Sequence, residues 1–390
     1  MIGFSPYAYA FHEDPYPIYA RLREETPVYH NAADGFWALS RHDDVLAAFK
    51  APKLFSNSQG VSIDPSARRG GARAGMSFLA MDPPEHTRFR ALVARGFTPR
   101  RVAELEPRIR EITVAHLDAL VGARRFDVIA DFAGKLPMDV ISEMLGVPEA
   151  DRAQLRTWAD LLVHRDEGDV DLPPAGVEAF VNIRSYFRDR IAEFRKRPGD
   201  DLLSALLGLD ADGFKPSDDD LLSFCNLMIV AGNETTTKLL GNALYWLWRN
   251  PGERKLLTND LSHIPGWVEE TLRYDNSTQL LMRLTLEDVT VRGVTIPAGE
   301  HVLLLIGSAN RDPAAFEHPD AYDIRRDATA MLSFGRGTHF CMGASLARLE
   351  ARVAFEEWWK RFPGYEVQPE GIQRVHSANV RGFAALPVEV

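Results

Sequence analysis

The chain has 390 residues, 45% hydrophobic and 26% charged, which excludes a disordered polymer and allows a large buried core. A formal net charge of -10 argues against an extended nucleic-acid-binding face, and two cysteines with no CxxC argue against a disulfide scaffold, a structural zinc site or c-type haem attachment. The N-terminal stretch has no basic head before an apolar run, and no window reaches the ~18 apolar residues of a membrane span, so a cytoplasmic protein off the membrane is expected.

In chain order, the first predicted element is a helix over Pro17–Glu25. Two strand-like runs follow, VYHN and GFWALS, around a turn at Asp34 and Gly35. Residues 41–50 read as a helix. Residues 56–80, rich in Gly, Ser, Ala and Arg, read as a long loop, which is uncommon in a compact domain unless it carries function. The pattern from 83 to 122 is helical, and helices are predicted over 135–145, 149–163 and 176–197. Between the last two, HRDEGDVDLPPAG is either a solvated connection or a lid.

The longest candidate helix is Asp218–Arg249. Ser217 is suited to cap it, three aspartates suit the positive end of its dipole, and Pro251 follows it. Its middle is apolar nearly all round, so it should cross a core. Inside that core sits AGNETT, residues 231–236. A glycine there costs ~1 kcal/mol against alanine, and a buried Glu234 is costly without a partner. Either this is a functional site or a kink in which threonine hydroxyls bond back to carbonyls.

Then come a helix over 265–274, strands around 289–291 and 302–306, and a final helix over 343–362. Helices dominate and no βαβ series is visible, so the fold class is mostly α with small β-sheets, in one domain over residues 1–390. Within the helix over 265–274, Glu270 and Arg273 stand three apart and share a face, although Glu269 also reaches Arg273 by spacing. His86 and Arg90 stand four apart in MDPPEHTRFR, either as a functional pair or as a solvated basic face.

Cys341 lies in SFGRGTHFCMGASLARLEARV, residues 333–353. Gly335, Gly337 and Gly343 allow tight turns near the sulfur, Phe334 and Phe340 could keep water from one side, and the following helix N-terminus favours a thiolate. Such a sulfur is a nucleophile, a metal ligand or an inert buried thiol. The stretch from Phe334 to Gly343 matches F-G-x-G-x-H-x-C-x-G and resembles the haem-binding loop of the cytochrome P450 family. AGNETT and the ETLR of residues 270–273 also resemble that family, whose likeness runs from about Asp14 to the C-terminus.

The resemblance implies a triangular helical prism holding haem b, with Cys341 as the thiolate ligand of iron. It implies that Thr235 hydrogen-bonds dioxygen at the iron, that Glu234 relays protons, and that Ala231 and Gly232 leave room for the ligand. His86, Arg90, Arg283 and His339 would bind the haem propionates, with Phe334, Gly335 and Gly343 completing the cofactor loop. Glu270 and Arg273 would form a buried structural pair. Many members have arginine where this chain has Ala321, so Arg325 or Arg326 must complete the charge network. Many have proline where Asn276 or Ser277 stands, beside the substrate.

The implied reaction is monooxygenation of a small hydrophobic organic substrate by O2. Electrons would come from a ferredoxin and an NAD(P)H-dependent ferredoxin reductase. The alternatives are a haem-thiolate peroxygenase or non-oxygenating haem enzyme, a non-enzymatic haem sensor, and a cysteine hydrolase. The intact Glu234–Thr235 pair argues against the first two. Segments 56–80, 164–176 and 376–382 should line or cover the substrate pocket, where Arg68, Arg69 and Arg73 are either acid-binding or merely exposed.

Overall fold

The computed structural model describes residues 2–67, 70–208 and 215–390; Arg68 and Arg69 lie outside them. Helices make the larger body, with small sheets at its edge. Helix Asp218–Arg249 runs through the body for 32 residues. Its start is set as the sequence predicts. The Ser217 hydroxyl accepts from the Asp220 amide, and the Asp220 carboxylate accepts from the Ser217 amide, a reciprocal capping box. Packed around it are helices Leu136–Met144, Glu149–Val163, Pro174–Lys196, Ile264–Tyr274 and Ala344–Arg361.

The main sheet has five strands, in the spatial order Val28–Asn31, Phe36–Leu39, His301–Leu305, Leu280–Thr285 and Phe55–Ser56. Only Phe36–Leu39 and His301–Leu305 run parallel. Alternation divides its side chains between two cores. Phe36, Ala38, Leu303, Leu305, Leu280 and Met282 pack on one face, and Leu39, Val302 and Leu304 on the other. Both faces are therefore buried.

Two expectations change. The segment 56–80 is not one loop: it carries helix Gly70–Met76 and the 3-10 turn Ser77–Ala80. The helical stretch 83–122 is broken into Glu85–Val93, Pro99–Glu104 and Glu106–Asp118, because Pro99 and Pro107 each open a new first turn. Pro251 likewise opens helix Pro251–Asn259 immediately after the long helix.

Candidate active site

Cys341 is presented by a loop pinned to the protein frame. Its amide donates to the Phe334 carbonyl at 2.9 Å, and helix Ala344–Arg361 begins three residues later. Gly335 and Gly337 have φ of +64° and +72°, and a Cβ on Gly337 would strike the Phe49 carbonyl. Gly343 is different. Its φ is -82°, and a Cβ there would meet nothing within 4 Å. Backbone geometry does not require a glycine at 343; its missing side chain leaves open space beside the cysteine.

The thiol itself corrects the sequence reading. Cys341 is exposed in its cleft, yet enclosure by protein raises its pKa. The amides of Gly343 and Ala344 and the charge of Arg90 pull it down but do not win. The helix N-terminus alone does not outweigh that enclosure. Phe334 lies under the Arg348 guanidinium, 4.5 Å from ring centroid to Cζ, whereas Phe340 is 38% exposed and shields less than expected.

Four cationic or titratable groups converge near this loop, and among the described residues no carboxylate is bonded to them. The His86 and His339 rings lie 4.0 Å apart, and among the described residues no ring nitrogen of either makes a well-formed hydrogen bond. Burial drives the pKa of His86 down to about 4 and holds that of His339 lower still. Arg90 spends a hydrogen bond on the Phe340 carbonyl, and Arg283 spends one on its neighbour Met282. Arg283 is 3% exposed, and burial lowers its pKa to about 10. A buried cation without an anion is unstable. This cluster and the open space at Gly343 suit a flat ligand bearing carboxylates.

The second group of candidate residues lies in the middle of the long helix. Ala231 is exposed although most of that helix is buried. A Cβ on Gly232 would press on the Ile141 side chain at 3.1 Å, so this glycine lets the helix Leu136–Met144 pack close. The Thr235 hydroxyl donates to the Ala231 carbonyl at 2.9 Å, and the Ser277 hydroxyl donates to the Thr235 carbonyl at 2.7 Å. The bond-back expected of a bland helix threonine is thus present, and its oxygen lone pairs remain available as acceptors.

Glu234 is 1% exposed. Its charge is met by Lys238, with Nζ 3.1 Å from Oε2, and by the Asn233 amide at 3.1 Å from Oε1. The first is an ion pair without hydrogen-bond alignment, because Oε2 has no bonded donor. Gly382 makes room for the Lys238 stem, where a Cβ would clash at 2.6 Å. Lys238 was missed by the sequence analysis, although its i,i+4 spacing from Glu234 was a usable signal.

Arg273 and Glu270 form the buried pair, and Glu269 pairs instead with Arg348 at 2.5 Å. The third member of the network is Arg326, 3.3 Å from Glu270, while Arg325 turns to Asp323. At Ala321 a backbone carbonyl takes hydrogen bonds from both Arg273 and Arg326. The three segments expected around the pocket are tied together by Arg165. Its guanidinium grips buried Asp64 at 2.9 Å and its amide donates to the His376 carbonyl. Arg73 pairs with Glu85 and Asp220, so it is not a free cation for a substrate.

A family model described as Cytochrome P450 matches residues 177–374. A Mycobacterium tuberculosis protein with the provisional name cytochrome P450 123 is 53% identical over 386 residues, covering 99% of this chain and 96% of that protein. The vitamin D(3) 25-hydroxylase of Pseudonocardia autotrophica is 41% identical, covering 97% of this chain and 94% of its own length. Among solved structures, CYP109E1 from Bacillus megaterium in complex with testosterone superposes with a TM-score of 0.90 at 33% identity, covering 96% and 97% of the two chains.

Proposed function

The chain belongs to the cytochrome P450 family, and from that premise we propose that Cys341 ligates haem iron and that the Glu234–Thr235 face of the long helix serves monooxygenation of a small hydrophobic organic substrate. Enzymes of this family are haem-b monooxygenases with a cysteine thiolate ligand. When bound, the haem supplies the oxygen-activating and electron-accepting chemistry, helped by electron donation from the thiolate.

The chain's own residues do the rest. Arg90 and Arg283 would neutralise the cofactor's two carboxylates, and the ring nitrogens of His86 and His339 would donate hydrogen bonds to them. Phe334, Gly335 and Gly343 shape the loop face on which the ring would lie. The small side chain of Ala231 would leave room for a ligand at the cofactor. The Thr235 hydroxyl can hold a water at that face, and Glu234, one position earlier, can deliver a proton toward it. The observation that carries this reading is the unmatched cluster around His86 and His339 beside the Cys341 loop.

Electrons would come from a ferredoxin and its NAD(P)H-dependent reductase. Exposed Arg95, Arg100 and Arg101 offer cations for an acidic donor, which salt should weaken. Among the described residues no helix is long and apolar enough to cross a membrane, which is consistent with work in the cytoplasm. The test is turnover of haem-loaded protein with a surrogate ferredoxin and reductase, over a ligand panel that starts with sterol-like molecules, given the two relatives named above. Oxygenated product dependent on O2 and NAD(P)H supports the reading. Turnover with peroxide alone, and none with the redox partners, defeats it in favour of a peroxygenase.

A further inference from the structure

A cavity of about 890 Å³ adjoins the long helix at Glu234 and Lys238, but neither Ala231 nor Thr235 lines it. Its opposite wall is helix Glu149–Val163, which contributes Arg156 and Asp160. His164, Glu13, Tyr245, Arg374 and His376 are the other charged or titratable groups around it. Glu234 thus lines this cavity and stands one position along the helix from Thr235.

Asp160 is open to the cavity and meets the Glu234 carboxyl. Two carboxyls in contact share a proton, because like charges at that distance cannot both persist cheaply. The Lys238 ammonium stands against Glu234, so the shared proton belongs on Asp160. Enclosure by protein, reinforced by the negative charge of Glu234, brings the Asp160 carboxyl up to about 7, against the smaller opposing pull of Lys238 and Arg156. An acid in that range can both give and regain a proton at neutral pH.

We propose that Asp160 is the outer proton donor of this enzyme: its carboxylic acid passes a proton to the Glu234 carboxylate and is reprotonated by water in the 890 Å³ cavity. Protons then reach the long helix from this side, and none is created or lost in the exchange. Asp160 touches neither substrate nor cofactor; it is a positioning and supply residue that acts through Glu234. The inference rests on the Glu234–Thr235 reading above.

The test uses the haem-loaded enzyme with its redox partners, as wild type, Asp160→Asn and Asp160→Glu. Product formed per NAD(P)H is followed against pH, and the protonated-carboxyl stretch is followed by infrared spectroscopy. In wild type, coupling and the carboxyl band should both fall as pH rises through about 7. Asp160→Asn should lower coupling several-fold below that pH, abolish the inflection and remove the band. Asp160→Glu should restore all three, which a merely structural role would not require. If Asp160→Asn keeps coupling, inflection and band while Thr235→Ala uncouples, the Asp160 proposal alone is overturned. If Thr235→Ala stays coupled, the underlying relay reading has failed, and a carboxyl band unchanged in Asp160→Asn overturns the proton assignment as well.

Discussion

The Arg273 guanidinium grips the Glu270 carboxylate through two hydrogen bonds of 2.7 Å each, and neither side chain has any exposure. The remaining donors of Arg273 reach the carbonyls of Asn310, Pro319 and Ala321, and Glu270 also accepts from the Asp323 amide. This pair therefore nails helix Ile264–Tyr274 to the segment that leads into the cysteine loop. Removing one partner strands the other charge in the core, at a cost of ~3–5 kcal/mol. Glu270→Ala should give haem-poor, poorly folded protein, and Arg326→Ala a milder loss, because Arg326 meets Glu270 at longer range. Denaturant melts of both variants decide; an unchanged melting midpoint in Glu270→Ala would show the pair to be superficial.

Cys341 is the residue to test for iron ligation. The other cysteine, Cys225, is fully buried in the long helix, and burial pushes its thiol far above the usual range. The reduced carbon monoxide complex should show the red-shifted Soret band of thiolate ligation. That band should vanish in Cys341→Ser and survive in Cys225→Ala. The opposite pattern would remove Cys341 from the site.

What could be read from the sequence follows physical lines. Helix ends set by a side chain were legible: Ser217 and Asp220 fix the long helix to the residue, and Glu149–Val163 was located by its own periodicity. Helix Gly70–Met76 was not, because GGARAGM carries no helix signal of its own; it forms by packing against the long helix. Strand Leu280–Thr285 hid for a related reason. With both faces buried, LLMRLT shows no alternation. In the site, local motifs pointed to Cys341, Glu234 and Thr235, but the packing of Gly232 against Ile141 was not legible because Ile141 is remote in sequence. Asp160 could not have been paired with Glu234 without the fold.

Arg283 offers a separable test of the cofactor cluster. Its charge is buried with no carboxylate bonded to it, so the protein alone gains little from it. Arg283→Leu should leave the unfolding free energy of haem-free protein equal or higher. Haem should instead dissociate faster, by roughly 10- to 100-fold if one charged hydrogen bond of ~1.5–3 kcal/mol is lost. Transfer of haem to apomyoglobin gives the rate. Unchanged haem loss together with lower apo-protein stability would make Arg283 a structural residue.

Glu350 gives a pH signature independent of the haem. It is 2% exposed, its Oε2 has no hydrogen-bond partner, and burial raises its pKa to about 8. A carboxyl whose folded pKa lies above its unfolded one binds more protons when folded. Its contribution to stability is therefore lost as pH rises from the ordinary glutamate range toward 8. Glu350→Gln, which cannot ionise, should flatten the stability profile over that window and be the more stable protein at its upper end. Chemical denaturation at several pH values measures this. Parallel profiles for the two proteins would mean that Glu350 finds a partner in solution.

Thr235 and Thr236 are neighbours with different surroundings. Thr236 is buried, whereas Thr235 is partly open, on the same helix face as exposed Ala231 four residues earlier. Successive helical side chains point about 100° apart, so only one of the two hydroxyls can serve the cleft. Thr235→Ala deletes little volume and one bond to the Ala231 carbonyl, so folding, haem content and substrate binding should be nearly unchanged. Without the hydroxyl, water at the cleft face loses its anchor and the proton from Glu234 loses its direction. NAD(P)H should then be consumed with peroxide or water appearing in place of product, a loss of coupling rather than of electron uptake. Thr236→Ala should stay coupled. Product per NAD(P)H oxidised, with peroxide assayed alongside, separates the cases. Coupling lost only in Thr236→Ala would mean that the helix is read in the wrong register. Coupling kept in both would mean that protons arrive without a helix hydroxyl, and the role given to Thr235 would fall.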